Sequence, residues 1–463
     1  MTSVPRIVIA GTASGVGKTS FTLGLIAALR ARGLRVQPFK CGPDYLDPTY
    51  HTLAAGVPCR NLDTWMVPPA AMLELFARAT ANCDLALIEG VMGLHDGRGG
   101  AREVGSTAEI ARLLCAPVLL VADVGKLSRS AGAMVLGYAA FDPHVRVAGV
   151  LLNQVGTERH RRWVAEGIAE QTDLPIVGHL PKRAAVSLPE RHLGLVPATE
   201  LGAHATVLYA IRTQVEATAD LDAVLALARA AGPIAHVPAV LFPTTAPAER
   251  VRVGLARDAA FGFYYEDNLD LLRAWGAELV EVSPLADPAL PPDLDGLYLG
   301  GGFPELHGAA LAANGGFRRS VAEAARAGLP MYAECGGLMY LAEWLVDLEG
   351  NRHAMAGIVP GTSMMQQARV RMGYVEATVL RDSPLAPAGA SIRGHEFHWS
   401  CMDPPDARRA AYRADGDRLE GIVAGPTGKV LASYLHVHFG SDPSLAPRFL
   451  TACRARRSAG VPR

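Results

Sequence analysis

Four short apolar runs recur through the first 160 residues: RIVIAG, CDLALIEG, PVLLVADVG and VAGVLLNQVG. Each is too short for a helix and lacks polar alternation, the pattern of strands covered on both faces in a parallel sheet. Helix-patterned stretches separate them, the clearest being the Ala/Leu-rich segment from Ser20 to Arg32. This alternation predicts an α/β, doubly wound fold for the first 200 residues. An Ala-rich helical pattern from Thr213 to Ala231 then gives way to the proline-dense GPIAHVPAVLFPTTAPAER. Proline interrupts helices and central strands, which marks the best domain boundary. Beyond it the alternation restarts with RVRVGLA, NLDLLRAWGA, AELVEVS, GLYLGGG and GFRRSVAEAARAGLPMYAECGG. The pattern predicts a first domain at 1–210, a linker at 211–249, a second α/β domain at 250–445 and a basic C-terminal tail at 446–463.

At 463 residues the chain is long for one core, and roughly 100–200 residues per domain agrees with two or three. Half the residues are apolar and the net charge is -1, so large cores can form and no bulk electrostatic pull toward nucleic acid is implied. Seven cysteines at 41, 59, 83, 115, 335, 401 and 453 include no CxxC pair. That fits neither a disulfide framework nor a structural zinc site, and a reducing cytoplasm is the expected location. The start MTSVPRIVIAGTASG lacks a long apolar core with a cleavage site, and no run of about 18 apolar residues follows. Neither secretion nor membrane spanning is expected.

GTASGVGKTS at residues 11–20 directly follows the first predicted strand and opens the first helix. There, small residues such as Gly15 and Gly17 let backbone N–H groups face phosphate oxygens, and the helix N-terminus favours anions. Lys18 and Thr19 are placed to meet a terminal phosphate and Mg²⁺, with Ser20 completing the set. The spacing departs from the usual P-loop, because Thr12 stands five before Gly17 and the glycine comes one earlier, at Gly11. A bare strand–helix turn is the alternative to nucleotide binding. A magnesium nucleotide needs carboxylates, and Glu89 closes an apolar strand, a costly position without a partner such as a metal. Asp44 and Asp47 share the loop FKCGPDYLDPTYH, where turn capping competes with ligation. Asp96 in GLHDGRGG serves equally as a turn former, and Asn153 divides between a base contact and a structural role.

PMYAECGGL places Cys335 between an apolar strand and the helix-patterned LMYLAEWL. A sharp strand-to-helix turn exposes a sulfur, the helix N-terminus lowers its pKa, and Gly336 and Gly337 leave room at backbone donors. A small buried hydrophobe is the ordinary alternative. LYLGGGFPE supplies Gly301 and Gly302 for an oxyanion loop, although such glycines also make tight turns. SYLHVHFGS puts His436 and His438 on one side of an extended segment, where one can act as base to Cys335. Cysteine, glycine loop and late histidine together describe covalent acyl transfer.

In order along nearly the whole chain, GTASGVGKTS, KCGPDYLDPTYH, EGVMGLHDG, GGGFPELH, AECGGLMYL, RGHEFHWS and ASYLHVHFGS resemble the cobyrinic acid a,c-diamide synthase family. In that family a dethiobiotin-synthetase-like ATPase is joined to a class I (triad) glutamine amidotransferase domain. The resemblance implies a ligase of the cobalamin pathway that converts the a and c acetates of a corrinoid to carboxamides with ATP and glutamine. It makes Cys335 the nucleophile and His436 its base, matches Lys18 and Thr19 to the phosphate loop, and matches Asp44 and Glu89 to acidic positions at the synthetase site, where with Thr19 they are the residues expected to meet Mg²⁺. Asp47 and Asp96 match acidic positions at the synthetase site. Ordinary triad amidotransferases carry a glutamate two residues after the base, whereas here that place holds His438, which leaves the third member open. Arg98 and Arg102 can anchor a polycarboxylate or be plain surface arginines. The implied partners are a corrinoid polycarboxylate and glutamine, with no nucleic acid or membrane, and a homodimer is left open. The same reaction on hydrogenobyrinate or a nickel sirohydrochlorin, or more remotely a non-catalytic P-loop regulatory ATPase, remain alternatives.

Overall fold

The computed structural model describes residues 3–99, 103–182, 190–191, 194–195, 204–234, 236–245, 247–403 and 407–458. The chain divides into two compact units, Met1–Ala239 and Val240–Arg463.

The first unit is built on β1 (Arg6–Gly11), β2 (Val36–Cys41), β3 (Arg60–Leu62), β4 (Leu85–Glu89), β5 (Val118–Asp123), β6 (Val147–Val155) and β7 (Ile176–Pro181). They lie in the order β3-β2-β4-β1-β5-β6-β7, every pair parallel. All of β1, β2 and β4 is buried, which explains their unbroken apolar runs. Helix α1 (Lys18–Ala31) buries Phe21, Leu25 and Leu29 against this sheet. The glycine-rich loop and the ends of β2 and β4 therefore gather at the C-terminal edge of a parallel sheet, where such folds bind ligands.

One segment differs from its reading as a linker. Helices α2 (His204–Thr218) and α3 (Leu221–Arg229) bury Ile211, Val215, Leu221, Val224 and Ala228 in the first unit's core. Gly24 of α1 has no room for a Cβ, which would sit 2.3 Å from Val215. The apolar stripe of this Ala-rich stretch is thus completed by α1.

The second unit carries β8 (Val251–Ala256), β9 (Ala277–Val282), β10 (Gly296–Leu299), β11 (Met331–Glu334), β12 (Arg371–Val379), β13 (Ser391–His398), β14 (Ala410–Ala414), β15 (Arg418–Ala424), β16 (Val430–Ser433) and β17 (His436–Val437). Their order is β9-β8-β10-β11-β16-β15-β14-β12-β13-β17. The first five are parallel and the remainder antiparallel. Only Tyr434 and Leu435 separate β16 from β17, and that stretch of chain spans at most about 11 Å. The antiparallel half must curl back, which brings β13 and β17 beside the end of β11. The expected helix LMYLAEWL is shorter than its pattern: it ends at Leu341, and Ala342–Val346 is a strand of a separate four-stranded sheet. The C-terminal tail is also packed, as helix Leu445–Ser458 with Phe449, Leu450 and Cys453 buried.

Candidate functional site

At the first sheet edge, Gly17 adopts φ 99°, and a Cβ there would meet Asn153 Nδ2 at 2.2 Å. Asn153 donates to Val16 O at 2.8 Å, so its structural role is to brace the loop. Gly15, also at positive φ, faces open space. Lys18 turns back and donates to Ala13 O and Met92 O. Burial and the neighbouring Lys40 lower its pKa, against the pull of Glu89, Asp47 and Asp96. Ser20 is half-buried on the next turn position.

Thr19 Oγ1 donates to Glu89 Oε1 at 2.8 Å. The same oxygen accepts from Lys40 Nζ at 2.8 Å, and His51 Nε2 lies 2.7 Å from Glu89 Oε2. Lys40 also binds Asp47 and stands 3.7 Å from Asp44 Oδ2. Burial pushes the Glu89 carboxyl up, but Lys40 and His51 outweigh it and hold Glu89 well below the usual carboxylate range. Burial likewise raises Asp47, to about 7, with Lys40 opposing. Neither Lys40 nor His51 was singled out in the sequence. A lysine closing an apolar strand was the available signal, since a fully buried lysine requires a partner. Asp44 meets this cluster through Lys40, while its Oδ1 accepts from Leu46 and Asp47 N–H. Asp96 makes a turn by accepting from Gly93 N–H at 2.8 Å. Arg98 stacks over Trp65 at 4.4 Å, and Arg102 lies outside the described residues.

The oxygen donors suit Mg²⁺, a hard cation that takes one or two carboxylates and fills its remaining positions with phosphate and water. Thr19 and Glu89 supply such a pair. Among the described residues no group of three or more His, Cys, Asp or Glu could hold an ion by itself.

In the second unit Cys335 has φ 49° and ψ -101°. A non-glycine residue here is strained, as at a nucleophile elbow. The turn is held because Cys335 N–H donates to Ser433 O at 2.7 Å. The glycine loop fits between the cysteine and the histidine. A Cβ on Gly336 would lie 3.1 Å from Gly302 N, and one on Gly301 would lie 2.7 Å from His436 Cε1. Gly301 N–H is committed to Phe263 O, while Gly336 N–H faces the Cys335 sulfur and Gly302 N packs close to Gly336.

The expected lowering of the Cys335 pKa is not what the structure gives. Helix Gly336–Leu341 has only six residues. Burial dominates and, with Glu305, Glu334 and Glu396 nearby, pushes the thiol far up. Burial also lowers His436 to about 3, helped by His395 and His398. Both shifts disfavour a thiolate–imidazolium pair and favour a resting form with a neutral thiol and a neutral imidazole. Loss of glutaminase to iodoacetamide should therefore accelerate about tenfold per pH unit from pH 7 to 9, following the thiolate fraction. A rate already level at pH 7 would contradict that resting form.

The two histidines separate clearly. His436 pairs across strands with His395. His438 Nδ1 accepts from Gly440 N–H at 3.0 Å and its Nε2 lies 3.6 Å from Asp267. Asn268 clamps the backbone between and beyond them, at Val437 O and Phe439 N.

Residues 7–196 match the CobQ/CobB/MinD/ParA nucleotide binding domain, and residues 252–444 match the CobB/CobQ-like glutamine amidotransferase domain. The cobyrinate a,c-diamide synthase of Dehalococcoides mccartyi (strain CBDB1) is 47% identical over 451 residues, 96% of this chain and 97% of that protein. That of Syntrophotalea carbinolica is 46% identical, over 98% and 99%. This chain belongs to the cobyrinate a,c-diamide synthase family. The resemblance first seen in the seven motifs thus extends over almost every residue. Within the same range stands the hydrogenobyrinate a,c-diamide synthase of Streptomyces coelicolor, 42% identical over 98% of both chains. Membership in the cobyrinate a,c-diamide synthase family accounts for a nucleotide-binding unit and an amidotransferase unit in one chain. No helix among the described residues is long and apolar enough to cross a membrane.

Proposed function

We propose that the protein amidates the a and c acetate carboxylates of cobyrinate in the cytoplasm, using ATP and glutamine, to form cobyrinate a,c-diamide. The carrying observation is the conjunction, in one family member, of the braced Lys18–Thr19 loop with a strained Cys335 whose glycine loop touches His436. The first unit is the synthetase. A substrate carboxylate oxygen attacks the γ-phosphorus of ATP, ADP leaves, and an acyl phosphate forms. Lys18 meets the phosphates, and Lys40 offers a second cation among Asp44, Asp47 and Glu89. Mg²⁺, when bound, supplies charge neutralisation at the phosphates, and Thr19 and Glu89 would hold it.

The second unit is the glutaminase. Cys335 Sγ attacks the glutamine amide carbon while His436 takes the thiol proton and returns it to the departing nitrogen. The thioester is then hydrolysed to glutamate, and the ammonia displaces phosphate from the acyl phosphate to give the amide. Gly302 and Gly336 N–H groups support the oxyanion.

The test of the substrate is product mass after incubation with cobyrinate and hydrogenobyrinate in parallel. Two successive losses of 1 Da per molecule, from hydroxyl to amine, are expected with cobyrinate; conversion of hydrogenobyrinate alone would overturn the choice. The test of the base is a glutaminase assay of both histidine variants. His436→Ala should lose roughly 10²–10⁴-fold as a general base, and His438→Ala, which touches Gly440 and the Asp267 side instead, much less. The reverse ranking would transfer the role to His438.

A further inference from the structure

Glu334 is the residue immediately before Cys335 and is fully buried at the end of β11. A buried carboxylate is costly, and a glutamine of the same size could serve as a neutral strut. Yet the partners of Glu334 are arranged for an acceptor. Tyr298 OH donates to its Oε2 at 2.8 Å, and Tyr332 OH and Val437 N–H donate to its Oε1, the latter at 2.9 Å. Its Oε2 lies 4.0 Å from His436 Nδ1. One carboxylate thus bonds the backbone of the base strand at Val437 N–H and stands 4.0 Å from the imidazole Nδ1. The same residue is covalently joined to Cys335, so one side chain links the nucleophile turn to the strand that carries the histidine.

We propose that Glu334 is the positioning residue of the Cys335–His436 pair, holding β17 through Val437 N–H and orienting the His436 ring through Nδ1. The proposal rests on the assignment of Cys335 and His436 given above. A base must be oriented by a third group to present one nitrogen to its nucleophile. Nδ1 is the ring nitrogen on the Glu334 side, and on this proposal Nε2 serves the sulfur. When the thiol proton moves to Nε2, the imidazole gains a positive charge, and an anion beside Nδ1 favours that state. Burial raises the Glu334 carboxyl to about 7, while Tyr332, Val437 and Tyr298 favour its ionised form. His438, by contrast, faces Gly440 and Asp267, so its side chain is held by other groups.

The test uses the full chain with Glu334→Gln, Glu334→Asp and Cys335→Ala, measuring glutaminase kcat and KM beside ammonia-dependent amidation. Glu334→Gln should lower kcat roughly 10²-fold, the low end for a proton-transfer apparatus. KM for glutamine should stay within about twofold, since substrate binding is untouched. Glu334→Asp keeps the charge on an arm one methylene shorter and should recover part but not all of that loss, with ammonia-dependent amidation at the parental level. Parental kcat in Glu334→Gln overturns the proposal. So does an equal loss in both Glu334 variants, which marks a strut rather than a positioned charge. If Glu334→Gln loses ammonia-dependent amidation as well, Glu334→Asp decides: reduced kcat at parental KM supports the role, and parental kcat removes it. Glutaminase surviving in Cys335→Ala would instead overturn the nucleophile itself, a failure distinct from that of Glu334.

Discussion

Cys335→Ser abolishes glutamine-dependent amidation and leaves synthesis from concentrated ammonium salt intact. The thiol is already pushed far up by burial, and a hydroxyl in the same pocket starts from a much higher pKa and is a weaker nucleophile. The thioester route closes. Free ammonia needs no nucleophile, so acyl phosphate formed in the first unit is still captured. Raising the pH helps this variant by increasing the unprotonated fraction of ammonia, an effect expected to be smaller for the parent with glutamine. Lys18→Ala gives the mirror image, with amidation lost from either nitrogen source and basal glutaminase retained. Parallel assays with glutamine and ammonium chloride decide the matter. Glutamine use by Cys335→Ser at near-parental rate would remove Cys335 as nucleophile, and loss of both routes with a normal fold would contradict two separable chemistries.

Lys40→Met destabilises the first unit by about 3–5 kcal/mol, the usual cost of removing one partner from a buried ionic cluster. Lys40 and Glu89 are both buried, and Asp47 is nearly so. Without the ammonium group, Glu89 keeps His51 and Thr19, while Asp47 loses the larger of the two cationic influences that oppose its burial and keeps the weaker one of His51. For a unit of this size the unfolding midpoint should fall by roughly 6–20 °C. The sign with pH follows from Asp47, whose folded pKa is raised to about 7 from 3.8 even with Lys40 present. A raised carboxyl binds its proton in the folded state first, so stability falls as pH rises from about 4 through 7. The deficit of Lys40→Met should therefore be larger at pH 8 than at pH 5. Adding Asp47→Asn should restore part of the loss by removing the second uncompensated charge. Calorimetry of the full chain measures the parent and both variants; an unchanged transition in Lys40→Met would mean the cluster relaxes into solvent.

What the sequence determined by itself is whatever lies within a few residues of itself. The strands show in RIVIAG and CDLALIEG because burial on both faces demands continuous apolar side chains. The phosphate loop shows because a strand, small residues and Lys18–Thr19 are contiguous, and the Cys335 turn shows because strand, cysteine and two glycines are adjacent. Seven motifs in order were enough to indicate the family that the full-length similarity then established. Tertiary structure decided the rest, because burial and charge pairing depend on which distant segments meet. Residues 211–229 read as the start of a linker until α1 supplied the surface that their apolar stripe covers. Lys40 and His51 became visible only when parallel pairing set β2 beside β4 and brought them to Glu89. A helix start beside Cys335 suggests a lowered pKa, yet the enclosing core reverses the sign, since desolvation exceeds what a six-residue helix can offer. His436 and His438 alternate alike in the sequence, and the curl that sets β17 against β13 gives them different neighbours. Glu334 is separated from His436 by about a hundred residues of chain, and only the return of β17 to the end of β11 puts carboxylate and imidazole 4.0 Å apart.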